Sequence, residues 1–296
     1  MGTVPVDIAA AERFIHNTAR LLDRHRLAVL LHNAPVEPVL TALRAYQNPD
    51  HGFGHALEPD VRDPASQPTA TLHALEVLAE VGALGDPMIT QAASWATRNA
   101  RSDGSLPFVL PSAANHPHAP WMTPDPDGSF ITFGVVSVLT RAGVQTPWLD
   151  AARSWCWSRL DGPDELDAYW VKFALDFLDH ESDEDRACAA IESLRPKIGP
   201  DGTIPVPGGT EDERLTALVL SPRPSVRSRT LFTEEHIQAE LDKLEEEQLE
   251  DGGWMFDWLD WSPGQRVEWR GCVTLRALAT LAAHGRAGRS RLRSST

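Results

Sequence analysis

The stretch QLEDGGWMF, at residues 248–256, ends a charged helical segment with a glutamine, turns at Asp-Gly-Gly and continues into aromatic residues. Four other turns in the chain are built in a related way, on an aspartate with a glycine beside or near it. The aspartates of the five turns stand at positions 50, 103, 161, 201 and 251, the last of them in QLEDGGWMF. Successive aspartates are separated by 53, 58, 40 and 50 residues. A period of about fifty residues is typical of repeat architectures, so the sequence predicts a chain of similar units.

Two kinds of helical segment alternate around these turns. TEEHIQAELDKLEEEQLE, before the last turn, has apolar residues at three- and four-residue steps and Thr233 as a candidate N-cap, as expected of a solvent-facing helix. CVTLRALATL, after the turn, is apolar over most of its circumference, which is typical of a buried helix. About eleven such helices alternate along the chain. We therefore predict an all-α fold of about five to six helical hairpins. The hairpins could form an open solenoid, but the apolar inner helices at both ends of the chain favour closure into a ring.

The turns resemble a known repeat. QLEDGGWMF resembles the glutamine-tryptophan repeat of squalene-hopene and oxidosqualene cyclases, in which Gln ends the outer helix, Asp-Gly forms the turn and an aromatic residue packs back. QNPDHGFG, at residues 47–54, is a looser copy with Phe53 in the place of the tryptophan. Both precede a similar inner-helix pattern, TATLHALEVL and CVTLRALATL. The resemblance implies the α/α toroid, or barrel, that class II terpenoid cyclases share with the β-subunits of protein prenyltransferases.

The catalytic motifs of those families do not accompany the repeats. Class II cyclases protonate their substrate from the middle Asp of a D-x-D-D motif, and the nearest stretch here is SDEDR, at residues 182–186. The protein prenyltransferases hold zinc with an Asp two residues before a Cys, whereas Arg270 stands two residues before Cys272. The function therefore has to be argued from the residues of the site itself.

Composition limits the classes of function and of compartment. The chain has 42 acidic and 27 basic residues, a net charge of −15, so it repels a nucleic-acid backbone on average. Its three cysteines are odd in number and widely spaced, unlike a disulfide framework. Since no segment reads as a membrane span or a signal peptide, we expect a cytoplasmic protein. Residues 1–285 are predicted to form one toroid domain and 286–296 a basic, disordered tail.

Acids and tryptophans in the loops that lead into inner helices form the candidate site. An acid-initiated cyclase needs a carboxylic acid kept protonated by apolar surroundings, and aromatic faces that stabilise a carbocation. We therefore predict an atypical terpenoid-cyclase-like enzyme that acts on an isoprenoid substrate in a central apolar cavity. The predicted catalytic acids are Asp60, Asp127 and Glu58. The predicted substrate-binding residues are His55, His118, Trp121, Trp258, Trp269 and Arg227.

Two other functions are compatible with the sequence. His116 and His118, with an aspartate, are candidate ligands of a prenyltransferase-like, metal-dependent transferase, although a His-x-His pair without a cysteine predicts no metal site by itself. A diphosphate substrate would bring Mg²⁺ as a cofactor; otherwise no cofactor is expected. A toroid without its acid motif also fits a non-catalytic binding or scaffold protein. The expected partner is a small isoprenoid, and the oligomeric state stays open.

Overall fold

The computed structural model describes residues 6–125, 127–162 and 166–286, and 57% of it is helical. Twelve α-helices lie in these residues, and they alternate between outer and inner positions. The outer helices are α1 (Ile8–Thr18), α3 (Glu37–Arg44), α5 (Pro87–Asn99), α7 (Pro147–Asp161), α9 (Glu184–Leu194) and α11 (Glu234–Glu246). The inner helices are α2 (Leu21–His32), α4 (Pro68–Glu80), α6 (Ile131–Arg141), α8 (Ala168–Asp179), α10 (Ala217–Leu220) and α12 (Pro263–Ala283).

Burial separates the two sets of helices as their sequences predict. On α4, every residue from Pro68 to Leu75 is buried, whereas α11 buries only Ile237, Leu241 and Glu245. Thr233 caps α11, because its hydroxyl accepts a hydrogen bond from the main-chain N–H of His236 at 3.2 Å. The core therefore lies between the inner helices and the inward faces of the outer ones.

The first and last hairpins meet, which closes the ring. Helix α12 packs against α1 and α2, and α4, α6, α8 and α10 pack in succession. The Arg26 guanidinium of α2 binds the Glu80 carboxylate of α4 through two contacts, at 2.6 and 3.0 Å. Across the seam, the side-chain amide of Gln248 exchanges two hydrogen bonds with the main chain of Asp7, at 2.8 and 2.9 Å. The predicted all-α toroid of hairpins is confirmed.

Four of the turns share one hydrogen-bond pattern. The carboxylates of Asp50, Asp103, Asp201 and Asp251 each accept a bond from the main-chain N–H two residues later. The intervening residue has a left-handed φ, which glycine adopts without strain. Three turns have glycine there, and the first has His51, with φ of 74°. The turn at Asp161 differs, since Asp161 ends α7 and pairs with Arg186; its residues 163–165 lie outside the described chain.

Aromatic residues and inner-helix threonines anchor the turns to the core. The main-chain N–H groups of Phe53 and Trp254 donate to the hydroxyls of Thr71 and Thr274, at 3.2 and 3.0 Å. Both aromatic side chains are buried. Each of these two turns is therefore tied to the inner helix that follows it.

A short hairpin and the chain ends complete the fold. Strand β1 (Ile204–Pro205) pairs antiparallel with β2 (Arg214–Leu215) between α9 and α10. Of the predicted tail, only Arg286 is described, and its guanidinium binds Asp242 and Glu245; residues 287–296 lie outside the described chain. Among the described residues, none of the helices has the length and apolar character that crossing a bilayer requires.

Candidate active site

Asp60 lies in the loop between α3 and α4, and three contacts hold its segment in place. Its carbonyl accepts a hydrogen bond from the N–H of Ala119 at 2.8 Å. The guanidinium of Arg62 binds both carboxylate oxygens of Glu268, on α12, at 3.0 and 2.8 Å. The carbonyl of Leu57 accepts a bond from Arg20 at 2.8 Å. The loop is thereby fixed to helices from both ends of the chain.

The backbone just before this segment is bent sharply. His55 and Ala56 have consecutive left-handed φ angles of 55° and 58°, which residues other than glycine adopt at a conformational cost. The main-chain N–H of Leu57 then bonds to the carbonyl of Gly54 at 3.0 Å, and the Leu57 side chain is fully buried. The bend turns Glu58 and Asp60 towards the protein interior, where both are buried.

Two indole N–H groups donate hydrogen bonds to the same oxygen of Asp60. The Nε1–H groups of Trp261 and Trp269 both donate to Oδ1, at 3.2 and 3.0 Å, and the side chain is only 4% exposed. Because Oδ1 is engaged as an acceptor, a proton on this carboxyl group belongs on Oδ2. The arrangement thus assigns different roles to the two oxygens.

Burial and the indole N–H groups shift the pKa of Asp60 in opposite directions. Burial raises the pKa of Asp60 above its usual value, since the anion loses hydration. The N–H groups of Trp269 and Trp261 lower the same pKa, with further lowering from Gln265 and Trp121. Burial prevails, so the neutral acid is favoured, while its conjugate base has hydrogen-bond donors already in place.

Glu58 and His73 form a buried pair beside Asp60. Their Oε2 and Nδ1 atoms lie 3.3 Å apart. Burial and the neighbouring Asp60 carboxylate hold the pKa of Glu58 well above its usual value. Burial and the cations of Arg20 and Arg26 hold the pKa of His73 well below its own. Both groups are therefore favoured as neutral species, and they are joined by a hydrogen bond.

Aromatic rings extend from Asp60 along the loop after α11 and the start of α12. The ring of Trp269 lies 6.3 Å from that of His73 and meets Trp258 edge to face at 5.1 Å. Trp258 in turn stacks on Phe256 at 4.6 Å. The buried Nε1–H of Trp258 has no hydrogen-bond partner among the described residues. The side chains next to the acid are thus largely aromatic.

A second aromatic group lies on α6 and α8. Phe130 stacks with Tyr169 and Phe173, with centroid distances of 5.9 and 5.1 Å. The Tyr169 hydroxyl donates to Glu213 at 3.1 Å. Burial raises the pKa of Glu213, and the charges of Asp257 and Asp60 raise it further. The hairpin that carries Glu213 therefore lies within electrostatic reach of Asp60.

Trp121 and His118 lie near Asp60 because their segment pairs with the one that follows Asp60. His118 forms a β-bridge with Val61, directly after Asp60, and Trp121 packs with Val61 and Trp261 in a small apolar cluster. The imidazole of His118 is engaged by the carbonyl of His116, at 2.7 Å. Trp121 thus adds to the aromatic surroundings of Asp60, and His118 supports the loop.

Three predicted site residues lie away from Asp60. Asp127 is exposed. His55 points to the side-chain oxygen of Asn48, at 3.0 Å. Arg227 donates to the carbonyls that end α8, those of residues 178, 179 and 181, at distances of 2.9 to 3.1 Å. That end is the opposite one from the turns, about 18 Å along a helix of 12 residues. We therefore leave these three residues out of the proposed site.

His116 and His118, the candidate metal ligands, each contact a different group. Nε2 of His116 lies 3.4 Å from Asp63, a buried carboxylate that also accepts from Gln67 at 2.7 Å. Within the described chain, no three His, Cys, Asp or Glu side chains gather as the ligands of a metal ion would. The geometry around His116 and His118 therefore gives the transferase hypothesis no support.

Some residues of the site were not predicted from the sequence. Trp261 was recognisable only as one of several tryptophans in the same loop. His73 lies within the apolar helix α4, where a lone histidine resembles a core residue. The Arg62–Glu268 pair joins residues 206 positions apart, and nothing in the local sequence of either residue signals the other.

Known proteins resemble this chain in structure rather than in sequence. No protein-family model and no curated protein matches it. A protein from Actinoplanes has a TM-score of 0.57 at 15% identity, over 94% of this chain and 99% of that one. A variant of the type II terpene cyclase MstE from Scytonema, with geranylgeranyl dihydroxybenzoate as substrate, has a TM-score of 0.56 at 11% identity, over 94% and 96%. Another MstE variant, with the product merosterolic acid A, has 0.53 at 14%, over 93% and 95%.

These similarities establish the fold. Identities of 11–15% do not carry an activity from one protein to another. The chain nonetheless covers nearly the full length of the proteins that it resembles, so the toroid is shared as a whole.

Proposed function

We propose that this protein is an acid-initiated terpene-cyclase-like enzyme in which Asp60 is the proton donor. The observation that carries the proposal is the buried carboxyl of Asp60, with Oδ1 bound by Trp261 and Trp269 and Oδ2 left to carry a proton. The fold that it shares with type II terpene cyclases supports the proposal. The substrate class is a prenyl chain, as in the geranylgeranyl compound bound by MstE.

The reaction begins with transfer of the Oδ2 proton of Asp60 to a carbon of a prenyl double bond. The resulting carboxylate is stabilised by the two indole N–H groups, which need no rearrangement. The tertiary cation is attacked by the next double bond, which closes a ring, and loss of a proton from carbon ends the sequence. One proton is gained and one is lost, so the product is an isomer of the substrate.

The aromatic residues have a second role in this scheme. The faces of Trp121, Trp258 and Trp269 stabilise the cation by cation–π attraction, worth about 0.5–2 kcal/mol for each well-placed ring. Rings also exclude water, which would otherwise capture the cation. Trp269 serves both purposes, since its N–H binds the acid and its ring lies beside it.

Glu58 and His73 return a proton to Asp60 after each turnover. Glu58 lies next to Asp60, His73 lies 3.3 Å from Glu58, and both are favoured as neutral groups, so Glu58 has a proton to give and His73 can accept another. Glu58 therefore acts through Asp60, as a positioning and reprotonating group.

The test is incubation of the purified protein with geranylgeranyl dihydroxybenzoate and with geranyl, farnesyl and geranylgeranyl diphosphates. Mass spectrometry should detect an isomeric product from at least one of them. Asp60→Asn, which keeps the shape but removes the acid, should lose that product, whereas the exposed Asp127→Asn should retain it. Failure of all four substrates to react would count against the proposal.

A second candidate is a binding protein with the same fold and no turnover. The sequence favours it, since neither the D-x-D-D motif of class II cyclases nor the zinc-site residues of the prenyltransferases accompany the repeats. In that case wild-type protein and Asp60→Asn would bind a prenylated compound equally well and neither would convert it.

A further inference from the structure

The β1–β2 hairpin lies at the turn end of the ring, before an unusually short inner helix. Helix α10 has 4 residues, whereas the other five inner helices of the described chain have 11 to 21. At about 1.5 Å per residue, α10 is about 6 Å long and the shortest of the others about 16 Å. The hairpin connects the turn at Asp201 to α10, as the loop of Asp60 connects the first turn to α4. It therefore stands where the first repeat carries its acid loop.

Hydrogen bonds join the hairpin to two neighbouring elements. The Tyr169 hydroxyl, at the start of α8, donates to Oε1 of Glu213 at 3.1 Å. The Thr210 hydroxyl donates to the main-chain carbonyl of Asp257 at 2.7 Å. Asp257 belongs to the loop between the last turn and α12. The hairpin therefore bridges the start of α8 and the loop before α12.

Both attachment points belong to the aromatic surroundings of the acid. Tyr169 stacks with Phe130 at a centroid distance of 5.9 Å. Asp257 directly precedes Trp258, whose ring meets that of Trp269 edge to face at 5.1 Å. The indole N–H of Trp269 in turn donates to the proposed acid. The hairpin therefore joins the two aromatic groups at the end of the ring where the acid lies.

Polar contacts hold most of the hairpin in place. Of residues 205–214, only Glu213 is buried, and Val206 makes a partly buried contact with the core. The strands have two residues each, and a two-stranded hairpin is marginally stable by itself in water. A segment with few buried apolar contacts opens more easily than the rest of a fold. The closed position therefore depends on the bonds to Tyr169 and Asp257.

The tip of the hairpin is shaped to hold the Glu213 carboxylate. Oε2 accepts a hydrogen bond from the main-chain N–H of Thr210 at 3.3 Å, while Oε1 accepts from Tyr169. A Cβ atom at Gly209 would overlap Oε2 of Glu213, so glycine leaves the room that the carboxylate occupies. The carboxylate therefore ties the tip of the hairpin to α8.

We propose that the β1–β2 hairpin is a lid on the turn end of the ring. It opens when its bonds to Tyr169 and Asp257 break, while the helices stay folded. Opening exposes little apolar surface of the hairpin itself and uncovers the aromatic side chains that it joins. A prenyl chain would enter the ring by this route; that role rests on the proposed function, whereas the lid does not.

Hydrogen–deuterium exchange of the full-length protein tests the lid without a substrate. Mass spectrometry of peptides that cover residues 204–215 should show faster exchange than in the buried helix α4. Tyr169→Phe keeps the aromatic ring and loses the bond to Glu213, and Thr210→Val keeps the shape and loses the bond to Asp257. Each variant should speed exchange in residues 204–215 roughly 3- to 10-fold and leave α4 unchanged.

Thr90→Val, on the outer helix α5, is the matched control. It removes the same kind of bond, from a threonine hydroxyl to the carbonyl of Pro87 at 3.1 Å, and should leave exchange in residues 204–215 unchanged. A cross-link tests the opposite direction, which misfolding cannot imitate. Thr210→Cys and Asp257→Cys, joined by a short cleavable thiol reagent, should slow exchange of the hairpin until the link is cleaved. Cys188→Ser removes the exposed native thiol from this variant.

Three results would overturn the lid. Residues 204–215 would exchange as slowly as α4 in the wild type, or both unlatched variants would exchange at the wild-type rate. Equal acceleration in α4 would show that these bonds hold the whole fold rather than one segment. Because no step uses a substrate, the outcome is separate from the success or failure of the proposed cyclisation.

Discussion

The indole N–H of Trp269 donates to Oδ1 of Asp60 at 3.0 Å, across 209 residues of sequence. The bond joins the loop before α4 to the second turn of α12, two elements that meet only because the ring closes. It lowers the pKa of an acid that burial raises. The fold and the proposed chemistry therefore depend on the same contact.

Trp269→Phe should weaken the acid while keeping an aromatic face in place. Loss of a hydrogen bond to a charged acceptor is worth about 1.5–3 kcal/mol, so turnover should fall roughly 10- to 100-fold. Steady-state product formation measures the effect. The matched control is Trp95→Phe, which removes an indole bond to Asp50, 3.1 Å long, in a turn away from the site. If both variants lost activity equally, the Trp269 bond would have no special role.

Glu58→Gln should change how stability depends on pH. Because the folded-state pKa of Glu58 is raised, the folded protein holds this proton more tightly than the unfolded chain. Its contribution to stability is therefore full below the unfolded pKa, near 4.5, and declines as pH rises towards the folded pKa. Glutamine removes that decline, so the variant should gain stability relative to the wild type as the pH rises above 4.5.

Urea denaturation at several pH values measures this difference. Glu246→Gln, on the exposed face of α11, is the control and should follow the wild type. A Glu58→Gln curve parallel to that of the wild type would show that Glu58 does not hold its proton as proposed.

Arg62→Met should loosen the Asp60 segment. It breaks the two-bond contact with Glu268 and leaves that carboxylate, which is only partly exposed, without its cation. We expect a loss of about 1–3 kcal/mol in the free energy of unfolding and a lower rate of turnover. Lys243→Met removes an exposed pair with Glu247 and should lose less than about 1 kcal/mol. Equal losses in the two variants would contradict the assigned role of Arg62.

Phe53→Ala tests the first repeat turn. The side chain is 0% exposed and its removal leaves a cavity between the turn and the core, so we expect a loss of about 3–5 kcal/mol. Leu249→Ala lies in the last turn with 43% of the residue exposed and should lose less than about 0.5 kcal/mol. Chemical denaturation compares them, and a small loss at Phe53 would mean that this turn does not organise the hairpin.

The fold was predictable because it is determined by local sequence patterns that recur along the chain. A turn aspartate, a left-handed residue and an anchoring aromatic residue act within about twenty residues, as in the Phe53–Thr71 contact. Alternation of amphipathic and apolar helices then specified the hairpins. The position of His51, which takes a left-handed φ in the place of a glycine, could be inferred only by comparison with the other turns.

The site was less predictable, since burial decides which loop acids differ from the rest. Asp60 and Asp127 both lie in proline-containing loops that lead into inner helices, yet one is 4% exposed and the other is exposed to solvent. The sequence predicts Arg227 as a substrate-binding residue, but its guanidinium donates to helix-end carbonyls. Only the three-dimensional structure shows which of the candidate residues lie close to one another.

Turnover in deuterium oxide tests the central claim most directly. The proton on Asp60 exchanges with solvent, so a reaction that begins by proton transfer from it must place one deuterium on carbon. We predict a product one mass unit heavier than in ordinary water, per initiating event. Asp60→Asn should form none of it. A product without deuterium, or full activity in Asp60→Asn, would contradict the assignment of Asp60 as the acid.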